Sequence, residues 1–396
     1  MNEDKASRYH RLVRRAQSAG LAWFAGVMGV LAFSSLSGSM GAAAASMVGT
    51  GRVPQLFVPA AVASLYVLML AAVHECGALP LAYYRGHVLE QRYGLSTQNG
   101  RRWLRTHLKA ALVGLVFAEL GAVALYLAIP RWPEWWWVAV TVGATLLMLW
   151  MALVGPTLLL PIFYRFSPID REELRRRLVN LARKAGAPVL GVYGWTLSDS
   201  TRKANAALVG VGRTRRILLS DTLLSDYSDD EIEVVLAHEL AHHVHGDLWR
   251  GLAFETLVVA CGAWLAHRTL LDLGPIVGLS GPADVAGLPL VLLAFGAVSL
   301  AAVPAANAWS RAHERRADRF ALRLTANPTA FGSAMRRLAQ QNLAEERPSF
   351  LARAFFYTHP PIAERLQMAR DEPLAGAGPS PGMAAPAVPV DSKPAR

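Results

Sequence analysis

Charge is scarce in this chain. Asp, Glu, Lys and Arg make up 17% of its 396 residues, against roughly 25% in an ordinary soluble domain. Apolar residues reach 53%. This excludes a disordered chain, which has high charge and little apolar sequence, and it argues against a plain soluble globule. Cysteine is scarcer still: Cys76 and Cys261 are the only two, and both lie inside apolar runs. A disulfide scaffold and a cysteine-ligated zinc cluster are therefore excluded. Acidic residues number 29 against 40 Lys and Arg, for a net charge of +11. Such an excess suits a nucleic-acid partner, but it is also the mark of cytoplasmic loops in a membrane protein.

Long uncharged sequence is what the chain has instead. Six apolar stretches cover residues 20–51, 53–84, 110–129, 135–164, 251–267 and 285–310. Each can supply the roughly 20 residues that a transmembrane helix needs. His74, Glu75, Glu119 and Glu255 stand within or near them. Ionisable groups at that depth face a bundle interior or a water-filled cavity, or pair between helices. The first stretch follows Lys5, Arg8, Arg11, Arg14 and Arg15, as a secretory signal would. It is too long for a signal h-region and reads as a retained anchor.

The placement of Lys and Arg sets the orientation. The N-terminal segment carries five, residues 85–109 six, and residues 165–250 thirteen, while Arg311, Arg315, Arg316, Arg319 and Arg323 follow the last stretch. The intervening connections hold one each: Arg52, Arg131 and Arg268. Rich and poor segments alternate throughout. Both termini and the long central segment are thus expected on the cytoplasmic side of the inner membrane, lipid bilayer is an expected partner, and nucleic acid is not. The expected organisation is a cytoplasmic N-terminus (1–19), four membrane helices (20–165), a cytoplasmic catalytic segment (166–250), two further membrane helices (251–310) and a second cytoplasmic segment (311–372). The Pro-, Ala- and Gly-rich sequence over 373–396 predicts a disordered tail.

Residues 166–250 read as an α+β insert. Asp170 with Glu173 predicts a capping box, and Gly186 a stop, for a helix of about sixteen residues. Strand-like runs follow at 189–196, 204–209 and 216–219, with Gly210-Val211-Gly212 as a turn between the last two. Ser228 with Glu231 predicts a second capping box, and the helix it starts carries His238-Glu239-Leu240-Ala241-His242. Histidines at i and i+4 share one helix face and can bind one Zn²⁺ from the same side. Glu239 points slightly aside, where a carboxylate can accept a proton from water activated by the metal.

A catalytic zinc takes a third protein ligand and keeps one position open. His245 lies a turn too far along. The position where a metzincin has its third histidine is Leu248. Beyond the last apolar stretch, Glu314 and Asp318 stand four apart in SRAHERRADRFA. Glu314 could complete the metal site, with Asp318 behind a ligand histidine. On spacing alone an i,i+4 charge lattice with Arg311, Arg315 and Arg319 accounts for them equally well. The short strand 204–209 could take an extended peptide by strand addition, and His359, held by two prolines, could stabilise an oxyanion.

These motifs, in this order, resemble the type I CAAX prenyl endopeptidase family of integral-membrane zinc metallopeptidases, with the HtpX-type proteases as more distant relatives. The resemblance rests on YYRGHVLEQRYGLSTQN, LLLPIFYRFSP, KANAALVGVGRTRRILLSDTLL, HELAHHVHGD, SRAHERRADRFA and THPPIAERL. It implies a polytopic α-helical membrane protein with a zincin-like α+β catalytic domain and one Zn²⁺ per chain. It further implies His238, His242 and Glu314 as ligands, Glu239 as general base, and Asp318 as support for a ligand histidine. Asn205 and Ala206 match the strand lining the cleft, His359 a histidine that contacts the reacting carbonyl, and Arg365 a structural arginine near it, so that Asn205, Ala206 and Arg365 are expected at the substrate. The six spans counted are one fewer than in eukaryotic members. Proteolysis of peptides or membrane proteins is therefore the favoured expectation over prenylated substrates. A zinc-binding transporter or channel is the alternative.

Overall fold

A computed structural model describes residues 2–49, 53–210 and 215–372. The N-terminal part contains α1 (Asn2–Ala32), α2 (Leu36–Val48), α3 (Val58–Tyr83), α4 (Gly100–Arg131) and α5 (Trp136–Leu158). The middle part contains β1 (Phe166–Pro168), α6 (Glu172–Lys184), β2 (Gly191–Trp195), β3 (Ala206–Val209), β4 (Arg216–Ser220), α7 (Asp221–Asp226) and α8 (Asp229–Val244). Then come α9 (Asp247–Asp272), α10 (Leu288–Thr325), α11 (Pro328–Gln341), α12 (Phe350–Phe356) and α13 (Ile362–Asp371).

Among the described residues, five helices are long and apolar enough to cross a membrane, or six if the bent pair α1 and α2 is one span. The first apolar run, read in the sequence as a single helix, is therefore two, meeting at 74°. At the break the Ser34 hydroxyl accepts from the Leu36 N–H at 3.3 Å, a local bond that competes with the helical ladder. The long helices form a closed ring: α1 contacts α3, followed in turn by α4, α5, α9 and α10, which returns to α1. Their shared core gathers Met28, Ala44, Tyr66, Tyr126, Trp136, Leu270 and Leu288, at the end of the ring away from the α+β insert.

The other end is knit together by polar contacts. Tyr9 pairs with Glu90, Lys203 reaches Glu90 at 3.0 Å, and Arg14 reaches Glu345 at 2.7 Å. The Lys/Arg-rich segments therefore share one face of the ring, as their alternation along the chain requires.

The insert is a four-stranded sheet in the order β1-β2-β4-β3, with β2 and β4 parallel and the outer pairs antiparallel. Strand alternation sends Val192, Ala206, Ile217 and Leu219 into a core with Leu174 and Leu178 of α6 and Ile232, Leu236 and Leu240 of α8. Three of the four strands were legible as runs; three-residue β1 was not. The first predicted capping box does not form: α6 starts at Glu172 with Arg171 as its uncapped N-cap. The Arg171 guanidinium is committed to Asp229 and to the Leu224 carbonyl. Gly186, at φ 71°, stops that helix as expected. Val211, Gly212 and the tail over 373–396 lie outside the described residues.

The second capping box forms in full. The Ser228 hydroxyl accepts from the Glu231 N–H at 3.3 Å, and the Glu231 carboxylate accepts from the Ser228 N–H at 2.9 Å. Ser228→Ala should destabilise this end of α8 by about 1 kcal/mol, read as a lower thermal midpoint in detergent. An unchanged midpoint would mean the cap adds nothing to the fold.

Candidate metal centre

α8 is apolar toward the sheet, so its last two turns present His238 and His242 to α10. α10 carries Glu314 and Asp318 one turn apart, both buried, Asp318 completely. His238 Nε2 and His242 Nε2 are 3.2 Å apart. Glu314 Oε2 is 3.2 Å from the first and Glu314 Oε1 3.4 Å from the second. Donors about 2.0–2.2 Å from one tetrahedral ion stand about 3.3–3.6 Å from each other; the three separations lie in or just below that range, so the cluster could hold a single metal. The chemistry agrees. Each histidine has a carboxylate at Nδ1; with the Nδ1–H donated to that carboxylate, both Nε2 atoms would offer lone pairs on the side of Glu314, an arrangement that suits a cation. Glu314 Oε2 is buried without a well-formed hydrogen bond. These residues fit a divalent ion such as zinc.

Behind each imidazole stands the same pair of groups. His238 Nδ1 is 2.9 Å from Asp318 Oδ1, and Arg365 closes on Asp318 with two bonds of 2.8 and 2.5 Å. His242 Nδ1 is 2.9 Å from Asp247 Oδ2, and Arg316 pairs with Asp247. Burial works against a charged His238, but Asp318 and Glu314 outweigh it and hold its pKa up, at about 9. Asp247 was missed in the sequence. Its only signal is the Gly246-Asp247 step that ends HELAHHVHGD.

His359 reaches the centre through α12. Asn307 donates to the Ala354 carbonyl at 2.9 Å, and Arg311 to the carbonyls of Arg353 and Tyr357 at 2.8 and 2.7 Å. These bonds fasten the segment so that His359 Nδ1 stands 2.7 Å from Glu314 Oε2, with its side chain 61% exposed. Glu239, half-buried, lines a cleft of about 380 Å³ together with Ala204, Asn205, Ala206, His359 and Arg365. Burial pushes the Glu239 carboxyl up, against the pull of the two imidazoles. Asn205 directly precedes β3, and β3 is an edge strand. Arg365, which the resemblance places near His359, has its guanidinium on Asp318. His245 is outside the cluster: its Nδ1 bonds the Ala241 carbonyl at 2.7 Å and its ring packs on Phe320.

The acids of the membrane helices have separate surroundings. Glu75 pairs with His107 at 2.6 Å. Both Glu119 carboxylate oxygens are buried with no hydrogen-bond partner among the described residues. Glu255 lines a second cavity of about 360 Å³ that reaches His242 and Glu314 between α9 and α10.

A multi-span helical ring carrying a His, His and Glu cluster beside an edge-strand cleft defines a membrane metallopeptidase. Residues 168–372 match peptidase family M48, and residues 17–165 match the CAAX prenyl protease N-terminal family of five membrane helices. The chain belongs to peptidase family M48. It is 31% identical to the metalloprotease YhfN of Bacillus subtilis over 78% of this chain and 73% of that one. It is 27% identical to the CAAX prenyl protease 1 homolog of Arabidopsis thaliana, over 73% and 69% of the two chains. For CAAX prenyl protease 1 of Saccharomyces cerevisiae the figures are 26%, 75% and 70%. The crystal structure of S. mikatae Ste24p has the same fold, with a TM-score of 0.79, covering 93% of this chain and 89% of that chain at 21% identity.

Proposed function

We propose that this protein is a zinc endopeptidase of the gluzincin type, cutting peptides or membrane proteins at the cytoplasmic side of the inner membrane. The observation that carries the reading is the three-donor cluster opening onto a cleft beside β3. His238, His242 and Glu314 hold the ion, one per chain. When bound, zinc polarises a carbonyl and lowers the pKa of water to about 7.

The chain's own groups do the rest. An extended substrate adds to the β3 edge at Asn205 and Ala206, where main-chain hydrogen bonds align its scissile bond with the cluster. Glu239 takes a proton from the attacking water, and its burial raises its basicity toward the working range. The same carboxyl then passes the proton to the leaving amine. His359 donates to the oxyanion as it forms. Asp318 and Arg365 keep His238 in one tautomer, so Arg365 acts on the metal site and not directly on substrate. The Lys/Arg-rich face of the ring supports the cytoplasmic placement.

The test is cleavage of a quenched peptide and of a detergent-solubilised membrane protein, with products read by mass spectrometry. Chelation should stop cleavage and Zn²⁺ should restore it. Zinc binding without any cleavage would favour the transporter or channel alternative. The relatives named CAAX prenyl proteases support a second substrate reading, the C-terminal region of a lipidated protein. A farnesylated C-terminal peptide cut faster than its unmodified twin would select it.

A further inference from the structure

We infer that Asp247 is a positioning residue for the metal centre: it fixes the tautomer and orientation of His242, and Arg316 holds it in place. The inference rests on reading His238, His242 and Glu314 as the metal donors.

The chain path is built for this contact. Asp247 lies five residues after His242, and in an unbroken helix it would project well away from the histidine's face. Gly246 instead takes φ 67°, a left-handed conformation that suits glycine. The turn ends α8 and restarts the chain as α9, whose first residue is Asp247. Its carboxylate folds back onto the preceding helix, with Oδ2 at 2.9 Å from His242 Nδ1.

The chemistry at that contact decides which nitrogen can serve the metal. An Nδ1–H donated to a carboxylate leaves Nε2 as the lone-pair atom, and Nε2 is the atom that faces His238 and Glu314. A ring turned over, or protonated at Nε2, would remove one donor of three. Asp247 is itself immobilised. Its side chain is only 11% exposed, Arg316 pairs with Oδ1, and His313 Nδ1 and Arg250 Nη1 stand 3.5 and 3.7 Å from the same oxygen. Arg316 lies two residues beyond Glu314, so one turn of α10 supplies both the anionic donor and the anchor of the second histidine's carboxylate. The arrangement duplicates His238, Asp318 and Arg365, with the carboxylate drawn from α9 instead of α10. The His242 ring is therefore set by how α9, a membrane-spanning helix, packs on α10.

The experiment measures Zn²⁺ affinity of the full-length protein in detergent by competition with a chelating dye, alongside the thermal midpoint of the metal-free form. Asp247→Asn keeps the shape and removes the charge. It should weaken zinc ~10–100-fold with the metal-free midpoint unchanged. The Co²⁺-substituted variant should have an altered visible spectrum. Arg316→Gln, which leaves the carboxylate on His242, should weaken zinc by a smaller factor. Unchanged affinity in Asp247→Asn overturns the inference. So does equal weakening in both variants, because the effect would then be loss of α9–α10 packing; this comparison also decides the case in which Asp247→Asn lowers the midpoint. A wild-type chain that binds no zinc fails the metal-site reading instead.

Discussion

Glu314→Ala should leave the helical ring intact, strip the metal, and take peptide cleavage to background. Glu314 is the only one of the three donors that comes from α10, and it stands 3.2 and 3.4 Å from the two imidazole nitrogens. Its removal deletes the one anionic donor and leaves His359 without the carboxylate 2.7 Å away. The loss of metal affinity should exceed the ~10–100-fold that follows removal of a supporting partner. Metal content per chain, measured beside cleavage, checks it. Glu314→Gln controls for volume and should fail in the same way. Full metal content with normal cleavage in either variant would remove Glu314 from the metal set.

Glu239→Gln should have nearly as large an effect on rate with none on the metal. Glu239 is on the cleft wall, outside the donor cluster, so the amide preserves shape and charge-independent contacts while abolishing proton transfer. A general base is worth ~10²–10⁴ in rate, and the loss should fall in kcat with metal stoichiometry unchanged. A pure, metal-loaded variant that still cleaves at the normal rate would end the assignment of Glu239 as base.

Much of this was readable from the residues because it is local. The Ser228 and Glu231 cap, the apolar stripe of α8 and the i,i+4 histidines all follow from helical periodicity, and all form as expected. Glu314 was only half readable. Spacing gave a helix face with two acids among arginines, and folding alone brings that face within 3.4 Å of His242 Nε2. Arg365 and Asp318 meet across 47 positions, a distance at which no pattern in the chain signals a contact. Asp247 escaped notice for the opposite reason: it is close in sequence, but its role depends on a reversal at Gly246 that the letters Gly-Asp do not specify. The break at Ser34 was hidden inside a charge-free run, where hydropathy registers length and composition but not direction.

α10 runs from the far end of the ring to the catalytic end without interruption, 38 residues from Leu288 to Thr325 with Pro304 inside it. At 1.5 Å per residue, Glu314 lies about 15 Å beyond that proline and Leu288 about 24 Å before it. The helix thus joins the two ends of the ring as one rod. A tilt of about 5° about Pro304 would carry the Glu314 backbone by about 1.3 Å, more than half the length of a zinc–oxygen bond of about 2.1 Å. Any change in how this rod sits among its neighbours would therefore be felt where Glu314 meets the two imidazoles.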